Sequence, residues 1–255
     1  MPRLAHRLSR LGRAIGALVL ATSVVATSVV AVEVMSGTVA TAAPAPSPLT
    51  AAAPTPAPGV PAYWTVASDG GVFTFGGLPF YGSMGAVKLN KPMVGIAPTT
   101  GSSGADGKGY WTVASDGGVF TFGSALFYGS MGAVKLNKPM VGIAADPATG
   151  GYWTVASDGG VFAFHAPFMG SMGAVKLAKP VIGMAATPDG GGYWLFASDG
   201  GVFAFGDAGY FGSLGNRALA APIVSAAPAD AGGYWMLGAD GGVFAFGDAG
   251  YFGSL

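Results

Sequence analysis

Beyond residue 61 the hydrophobic residues fall in short runs that are separated by Gly, Pro, Asp and Lys. Within residues 140–171 the runs are "VGIAA", "YWTVAS", "VFAF" and "FMGS". Runs of this length, rich in aromatic and β-branched residues, predict β-strands. The apolar spacing of about 3.6 residues that is typical of an amphipathic helix is absent from this region. The pattern therefore predicts an all-β fold with four strands in each segment of this kind.

The four runs recur along the chain as one unit. A Tyr-Trp pair marks the second run, and the intervals between successive pairs are 47, 42, 41 and 41 residues. Sequence repeats of this length are typical of propellers, solenoids and arrays. We number the units 1 to 5 by their Tyr residues, which are Tyr63, Tyr110, Tyr152, Tyr193 and Tyr234.

An Asp followed by Gly-Gly separates the second and third runs of every unit. An Asp carboxylate at the start of a tight turn accepts a hydrogen bond from the backbone N–H two residues later, and Gly readily adopts the positive φ that such a turn requires. We therefore predict a β-hairpin turn in each unit. The turn aspartates are Asp69, Asp116, Asp158, Asp199 and Asp240.

Each sheet is expected to have two apolar faces. Neighbouring residues of a strand point to opposite sides, so Tyr63 and Trp64 place bulky rings on both faces. Sheets arranged around an axis cover one another, and we predict a β-propeller of about five four-stranded blades. The alternative is a linear β-hairpin solenoid, whose ends need polar caps, whereas unit 5 is as apolar as the others. The "VGIAA"-like run occurs only four times, so residues 55–62 or another chain would supply the fifth.

The N-terminal region has a different composition. Four Arg residues between positions 3 and 13 precede an uncharged run at 14–32, and Ala40 and Ala42 form a small-residue site. This order predicts that residues 1–42 are a secretory signal peptide, with an uncleaved N-terminal anchor as the alternative. Residues 43–61 alternate Ala and Pro, which favours an extended linker. The repeat domain then covers residues 62–255, and we expect it to be secreted or held at the cell surface.

Charge and composition argue against several functions. From residue 43 onward there are eleven Asp, no Glu, seven Lys and one Arg, a net charge of −3. Without a basic patch, nucleic-acid binding is not expected. The chain has no Cys, which removes disulfides and thiolate metal sites, and each turn offers a Ca²⁺ ion a single carboxylate. His165 is the one His after residue 43 and is interpreted as a loop substitution, so we predict no enzyme, catalytic residue, metal or cofactor.

Pairs of Lys recur in the connection between one unit and the next, as in "KLNKP". If the strands alternate in direction, this connection and the Asp turns lie on the same face of the molecule. That face is either a solvated rim of balanced charges or a polar surface that binds a glycan. The candidate ligand-binding residues are Lys88, Lys91, Lys135, Lys138, Lys176 and Lys179, together with Asp69, Asp116, Asp158, Asp199 and Asp240.

Aromatic side chains offer a second type of sugar contact. The five Trp residues occupy the same strand position in every unit and are predicted to belong to the core. The aromatic residues of the fourth run are better candidates for stacking on sugars, because that run is expected at the outer edge of its sheet. They include Phe80, Tyr81, Phe127 and Tyr128.

The segment "GYWLFASDGGVFAFGDAGYFGSLG" (192–215) resembles Gly-Tyr-Trp/Ser-Asp-Gly-Gly-Val-Phe repeats of secreted actinobacterial proteins, which often accompany cell-wall hydrolases. The resemblance covers residues 61–255 and implies an extracellular β-propeller-like region without an established activity. The rhythm of Trp, Asp-Gly and Val-Phe is also similar to that of tachylectin and tectonin lectin propellers, which implies glycan binding by analogy.

These features predict a non-catalytic extracellular binding module that recognises cell-wall or other surface glycans. The alternative is a structural or adhesive scaffold that binds a protein partner at the cell surface. Membrane contact is expected only through the N-terminal segment, if that segment is not cleaved.

Overall fold

A computed structural model describes residues 62–99, 107–229 and 232–255. The predicted signal peptide and Ala/Pro linker lie outside these residues. The described residues form β-strands and no helix, so they include no helix that is long and apolar enough to cross a membrane. The strands are β1 (Tyr63–Val66), β2 (Val72–Phe75), β3 (Met93–Pro98), β4 (Gly109–Ala114), β5 (Val119–Gly123), β6 (Met140–Ala145), β7 (Tyr152–Ala156), β8 (Val161–Phe164), β9 (Val181–Ala186), β10 (Gly192–Ala197), β11 (Val202–Gly206), β12 (Ile223–Pro228), β13 (Gly233–Gly238) and β14 (Val243–Gly247).

The strands form five small antiparallel sheets, one in each unit. Unit 1 contributes the pair β1–β2, and units 2 to 5 contribute the three-stranded sheets β3–β4–β5, β6–β7–β8, β9–β10–β11 and β12–β13–β14. The middle strand of each three-stranded sheet carries the Tyr-Trp pair. The predicted all-β fold of repeated antiparallel sheets is confirmed.

The Asp-Gly-Gly turns have the predicted geometry. In unit 3 the Asp158 carboxylate accepts a hydrogen bond from the N–H of Gly160 at 3.0 Å, and Gly159 has a φ of 81°. The equivalent hydrogen bond in the other four units is 2.9–3.1 Å long. Each turn therefore closes a hairpin between the second and third strands of its unit.

The predicted fourth strand is wrong. The fourth runs, which we call the outer segments, make no strand ladder in the described residues. Each contains a Gly with φ between 116° and 133°, a conformation that does not continue an extended strand. Hydrogen bonds from side chains, and not pairing with a strand, fix the position of these segments. Each three-stranded sheet therefore has an irregular fourth segment beside it. The outer segments are residues 80–83, 127–130, 168–171, 210–213 and 251–254.

Trp side chains attach each outer segment to its own sheet. The indole N–H of Trp153 donates to the carbonyl oxygen of Pro167 at 2.8 Å, just before the outer segment of unit 3. The other four Trp residues make the equivalent hydrogen bond at 2.7–3.0 Å. The Trp rings of units 2 to 5 are buried, which confirms that they belong to the core.

Successive sheets pack face to face. The face that carries the Tyr, here called the leading face, contacts the preceding unit, and the face that carries the Trp, the trailing face, contacts the following unit. Tyr152 of unit 3 lies against Trp111 of unit 2 with ring centroids 5.2 Å apart, and Tyr193 lies against Trp153 at 5.3 Å. The first strands β3, β6, β9 and β12 are neighbours in that order, as in propeller blades. Among the described residues no extensive contact joins the strands of units 1 and 5.

A Tyr hydroxyl connects each unit to the outer segment of the preceding one. The hydroxyl of Tyr152 donates to the carbonyl oxygen of Gly129 at 2.6 Å and accepts from the N–H of Tyr128 at 3.3 Å. Tyr110, Tyr193 and Tyr234 repeat both hydrogen bonds within 0.1 Å of these lengths. These four Tyr residues have no exposed side-chain surface.

The position two residues after the Tyr differs between units. Thr112 and Thr154 are buried there, and neither hydroxyl has a hydrogen-bond partner. Units 4 and 5 have Leu195 and Met236 at the same place, both fully buried. The interfaces that involve units 1 to 3 therefore bury polar groups that the later interfaces avoid.

We expect Tyr152→Phe to lower the free energy of unfolding by about 1–3 kcal/mol, because it leaves the partly buried N–H of Tyr128 and carbonyl of Gly129 without their partner. Urea denaturation of the full chain measures the change. The control is Tyr63→Phe, whose hydroxyl makes no hydrogen bond in the described residues, and its effect should stay below about 0.5 kcal/mol. Equal effects of the two substitutions would contradict the assigned role of the hydroxyl.

Stability should also fall at alkaline pH. Burial raises the pKa of the Tyr110, Tyr152, Tyr193 and Tyr234 hydroxyls above the ordinary value of about 10. The folded state therefore keeps protons that the unfolded chain releases, so this contribution is intact below about pH 10 and is lost as the pH rises further. The urea concentration at the midpoint of unfolding should decrease as the pH rises above about 10. The decrease should be smaller for Tyr152→Phe, which lacks one of the four buried hydroxyls. A flat profile would disprove the expectation.

Candidate binding groove

A groove of about 310 Å³ lies between units 2 and 3, where one unit connects to the next. The connection supplies Lys135, Leu136, Asn137 and Lys138, and the hairpin of unit 3 supplies Asp158. We call this cavity the 2/3 groove. It brings together three of the residues that the sequence analysis selected, Lys135, Lys138 and Asp158.

Backbone hydrogen bonds fix the position of this connection. The N–H of Met131 donates to Gly117 in the turn of unit 2, and the N–H of Ser157 in unit 3 donates to Pro139, both at 2.9 Å. Gly117 has a φ of 90°, and an added Cβ there would lie 2.7 Å from the Cβ of Met131. The Asp-Gly-Gly turn therefore requires Gly for two reasons, its backbone conformation and the close approach of the connection.

The groove presents polar groups over an apolar floor. Lys135, Asn137 and Lys138 are exposed, and Leu136 and Phe162 are partly buried. Within this described region neither Lys forms an ion pair with Asp158, and both Lys residues are exposed. One Asp158 oxygen holds the Gly160 N–H, which leaves the other as an acceptor. The site can donate from Lys and Asn, accept at Asp158 and contact an apolar ring face at Phe162.

The same backbone pattern recurs at other connections. Ser115, Ser198 and Ala239 each donate an N–H to the Pro that ends the preceding connection, at 2.9 Å. Connections with Lys88 and Lys91, and with Lys176 and Lys179, thus run beside the turns of units 2 and 4, which contain Asp116 and Asp199. Arg217 takes the corresponding place before Asp240. Asp69 of unit 1 is exposed and has no preceding connection among the described residues.

The aromatic candidates separate into two groups. Phe80 and Phe127 are 58% and 60% exposed, whereas Tyr81 and Tyr128 are partly buried against Tyr110 and Tyr152 of the following units. The first position of every outer segment is exposed in the same way. Its other occupants are Phe168, Tyr210 and Tyr251.

Sequence reasoning missed the polar loops between units. Asp146 is fully buried, accepts from the N–H of Ala148 at 2.9 Å and from the Thr149 hydroxyl at 2.6 Å, and so organises the loop from β6 to β7. In the next unit, hydrogen bonds from the Thr187 hydroxyl and the Gly191 N–H lower the pKa of the Asp189 carboxyl. The sequence did contain a signal for these loops, because Asp and Thr lie beside Pro and Gly in "DPATGG" and "TPDGGG", a composition typical of hydrogen-bonded turns. These loops stabilise the fold and do not line the 2/3 groove.

His165 follows β8 at a position where other units have Gly. Its φ is 50°, the left-handed conformation of its Gly counterparts, and its ring stacks on Tyr128 of unit 2 with centroids 4.5 Å apart. It is a loop substitution, as predicted, and it adds a contact between units. In the part of the chain that the structure describes, no group of three or more His, Cys, Asp or Glu side chains is placed to hold a metal ion.

Comparison with known proteins gives a distant structural likeness only. No family model and no curated protein matches the chain. A solved structure of YCF48 bound to a D1 peptide has a TM-score of 0.38 and 12% identity, over 74% of this chain and 75% of that one. A protein of unknown function from Bacteroides thetaiotaomicron has a TM-score of 0.35 and 12% identity, and the match spans 57% of this chain and 44% of that one. Likenesses at this level assign no family to the chain.

Asp158 stabilises its hairpin turn and is also a candidate ligand-binding residue. Two substitutions distinguish the hydrogen bond that it accepts in the turn from its negative charge. We expect Asp158→Ala to lower the free energy of unfolding by about 1 kcal/mol, because the Gly160 N–H loses its acceptor. Asp158→Asn keeps an acceptor oxygen and should change it by less than about 0.5 kcal/mol. Urea denaturation of both variants measures the difference, and an equal loss in both would show that the charge, not the hydrogen bond, stabilises the turn.

Proposed function

We propose that this protein is a non-catalytic binding module that recognises a surface glycan through the grooves between its units. The observation that carries the proposal is the 2/3 groove, which is lined by Lys135, Lys138 and Asp158 together with Phe162. Sugars bind where hydrogen-bonding side chains surround an apolar surface. Repetition of the connection gives the chain several such positions in a row.

The charge of the groove suggests the type of glycan. Two exposed lysines, Lys135 and Lys138, and one carboxylate line the groove, so its lining has an excess of positive charge. An ammonium group binds a carboxylate or phosphate better than a neutral hydroxyl. We therefore propose an acidic cell-wall or surface polysaccharide, bound by residues of several units at once, so that weak individual contacts add up.

The extracellular location is part of the same proposal. The basic N-terminal segment, the uncharged run at 14–32 and the resemblance of residues 61–255 to secreted actinobacterial repeats support export. The Ala/Pro segment 43–61 would then separate the sheets from the membrane or wall.

A second candidate is an adhesive scaffold for a protein partner. The exposed aromatic residue at the first position of each outer segment favours it, since aromatic side chains are enriched in protein interfaces. The two functions use different residues, so substitutions distinguish them.

We expect the double variant Lys135→Ala/Lys138→Ala to bind purified acidic cell-wall polysaccharide roughly tenfold more weakly than the wild type, since each charge-assisted contact contributes about 1 kcal/mol or less on an exposed surface. Isothermal titration of the full chain, with competition by soluble fragments of the polymer, measures the loss.

Lys135→Arg/Lys138→Arg is the matched control, because it keeps both charges and should retain binding. Phe127→Ala removes an exposed outer-segment ring and tests the scaffold function, because it should weaken binding to a protein partner. Unchanged affinity of the double Ala variant, or binding that soluble fragments do not compete, would overturn the glycan proposal.

A further inference from the structure

The first position of every outer segment is an exposed aromatic residue. We call these five residues the aromatic row, and they are Phe80, Phe127, Phe168, Tyr210 and Tyr251. Phe127, Phe168 and Tyr210 are 60%, 61% and 63% exposed, although their units have a neighbouring sheet on both sides. Their exposure is therefore a property of the outer edge of the sheets and does not depend on where the array begins or ends.

The backbone on either side of each ring is fixed. The carbonyl before the ring accepts from a Trp of the same unit, and the N–H after it donates to a Tyr of the next unit. Around Phe168 these partners are Trp153 at 2.8 Å and Tyr193 at 3.2 Å. Units 2 and 4 repeat both contacts around Phe127 and Tyr210. The rings therefore occupy equivalent, preorganised positions, and a ligand does not have to order the backbone that carries them.

The surface of the aromatic row is apolar. Leu126, before Phe127, is 62% exposed, and Pro167, before Phe168, is exposed as well. In all five units the outer segment and the residue before it contain no Asp, Lys, Arg or amide side chain. A contiguous exposed apolar surface marks an interaction site, and this one offers a glycan few hydrogen-bonding side chains. It fits an uncharged ligand with apolar groups at a regular interval.

The Ala/Pro segment 43–61 has this chemistry. It lies outside the described residues and ends where unit 1 begins. Seven of its 19 residues are Pro and none is charged, a composition that favours polyproline II, and aromatic surfaces bind chains in this conformation because it needs little further ordering. The segment thus provides a neutral, apolar chain next to a neutral, apolar surface.

The dimensions of the segment and of the aromatic row also agree. Polyproline II has three residues per turn and rises about 3.1 Å per residue, so its surface repeats about every 9 Å. Sheets that pack face to face lie about 10 Å apart, and the rings recur at an interval of this order. Nineteen residues in this conformation reach about 60 Å, which exceeds the roughly 40 Å between the first and fifth rings.

We propose that the Ala/Pro segment 43–61 docks in a polyproline II conformation along the aromatic row of its own chain, with Pro rings packed on the exposed Phe and Tyr rings. Attachment to unit 1 gives the segment an effective concentration near the row in the millimolar range, so it has an advantage over the same segment of another copy.

This contact is independent of glycan binding, because the groove lysines belong to the connections and not to the aromatic row. The segment would compete with a protein partner for the same exposed rings. Release of the segment would uncover the row and lengthen the linker together. The docked segment therefore regulates access to the surface that the second candidate function uses.

A distance measurement between two spin labels on the full chain tests the proposal. The chain has no Cys, so Ala51→Cys in the segment and Ser124→Cys in unit 2 each accept one label. We expect a narrow distribution of distances, because docking holds residue 51 at one place beside the sheets. A broad distribution in this otherwise wild-type chain would overturn the proposal.

Removing rings shows which surface holds the segment. Phe127→Ala/Phe168→Ala should weaken docking at least about tenfold, so the narrow distribution should be replaced by a broad one. Val87→Ala/Val175→Ala is the matched control, because these residues are 52% exposed on connections and lie outside the aromatic row, and it should keep the narrow distribution. Thermal denaturation establishes that the variants are folded, and Phe127→Leu/Phe168→Leu replaces a double Ala variant that is not. A narrow distribution that survives loss of both rings would overturn the proposal.

Two further measurements identify the occupant. Diluting the labelled chain with excess unlabelled chain should leave the narrow distribution intact, and its loss would assign the contact to a second copy and overturn docking within one chain. A synthetic peptide of residues 43–61 should bind the full-chain variant Pro54→Gly/Pro56→Gly/Pro58→Gly at least about tenfold more tightly than the wild type, because the weakened segment no longer competes. Equal affinities by isothermal titration would contradict a docked segment.

Discussion

Each sheet of this protein has two apolar faces, and a sheet of the same kind covers each of them. The Tyr of one unit and the Trp of the preceding one lie in contact at every internal interface. The Tyr is buried at each of them, and the Trp is buried at all but the first, where Trp64 is partly buried. Burying side chains of this size contributes most of the favourable free energy of the contact. A single unit exposes both faces, so its stability depends on its neighbours.

Hydrogen bonds from the same aromatic side chains complete each unit. The Trp indole binds the backbone near its own outer segment, and the Tyr hydroxyl of the next unit binds the same segment. The outer segment therefore acts as a bridge between adjacent sheets, although it is not a strand. The connections that line the grooves begin where these segments end, so packing of the core also sets the position of the candidate binding residues.

The sequence was sufficient to predict the strands that form the sheets, the hairpin turns and the buried Trp positions, because each follows from residue type and spacing within one unit. The turn at Asp158 and the strand β7 are examples. The outer segments were misassigned because "FYGS" and "FMGS" have the composition of a short strand, and the positive φ of Gly82 or Gly129 appears only in three dimensions. Only part of the 2/3 groove could be predicted. Alternation of strand direction predicted that Lys135 and Asp158 lie on the same face of the molecule. The contribution of Phe162 could not be predicted, because it depends on packing between units.

Two buried Thr hydroxyls without partners occupy the interfaces of the first three units, where the later units have Leu195 and Met236. An unsatisfied hydroxyl in an apolar environment costs free energy that an aliphatic side chain of similar size does not. At this position the first two interfaces therefore carry a cost that the last two avoid. Thermal or mechanical stress should separate the array from its N-terminal side, and the C-terminal pair of sheets forms its most durable part.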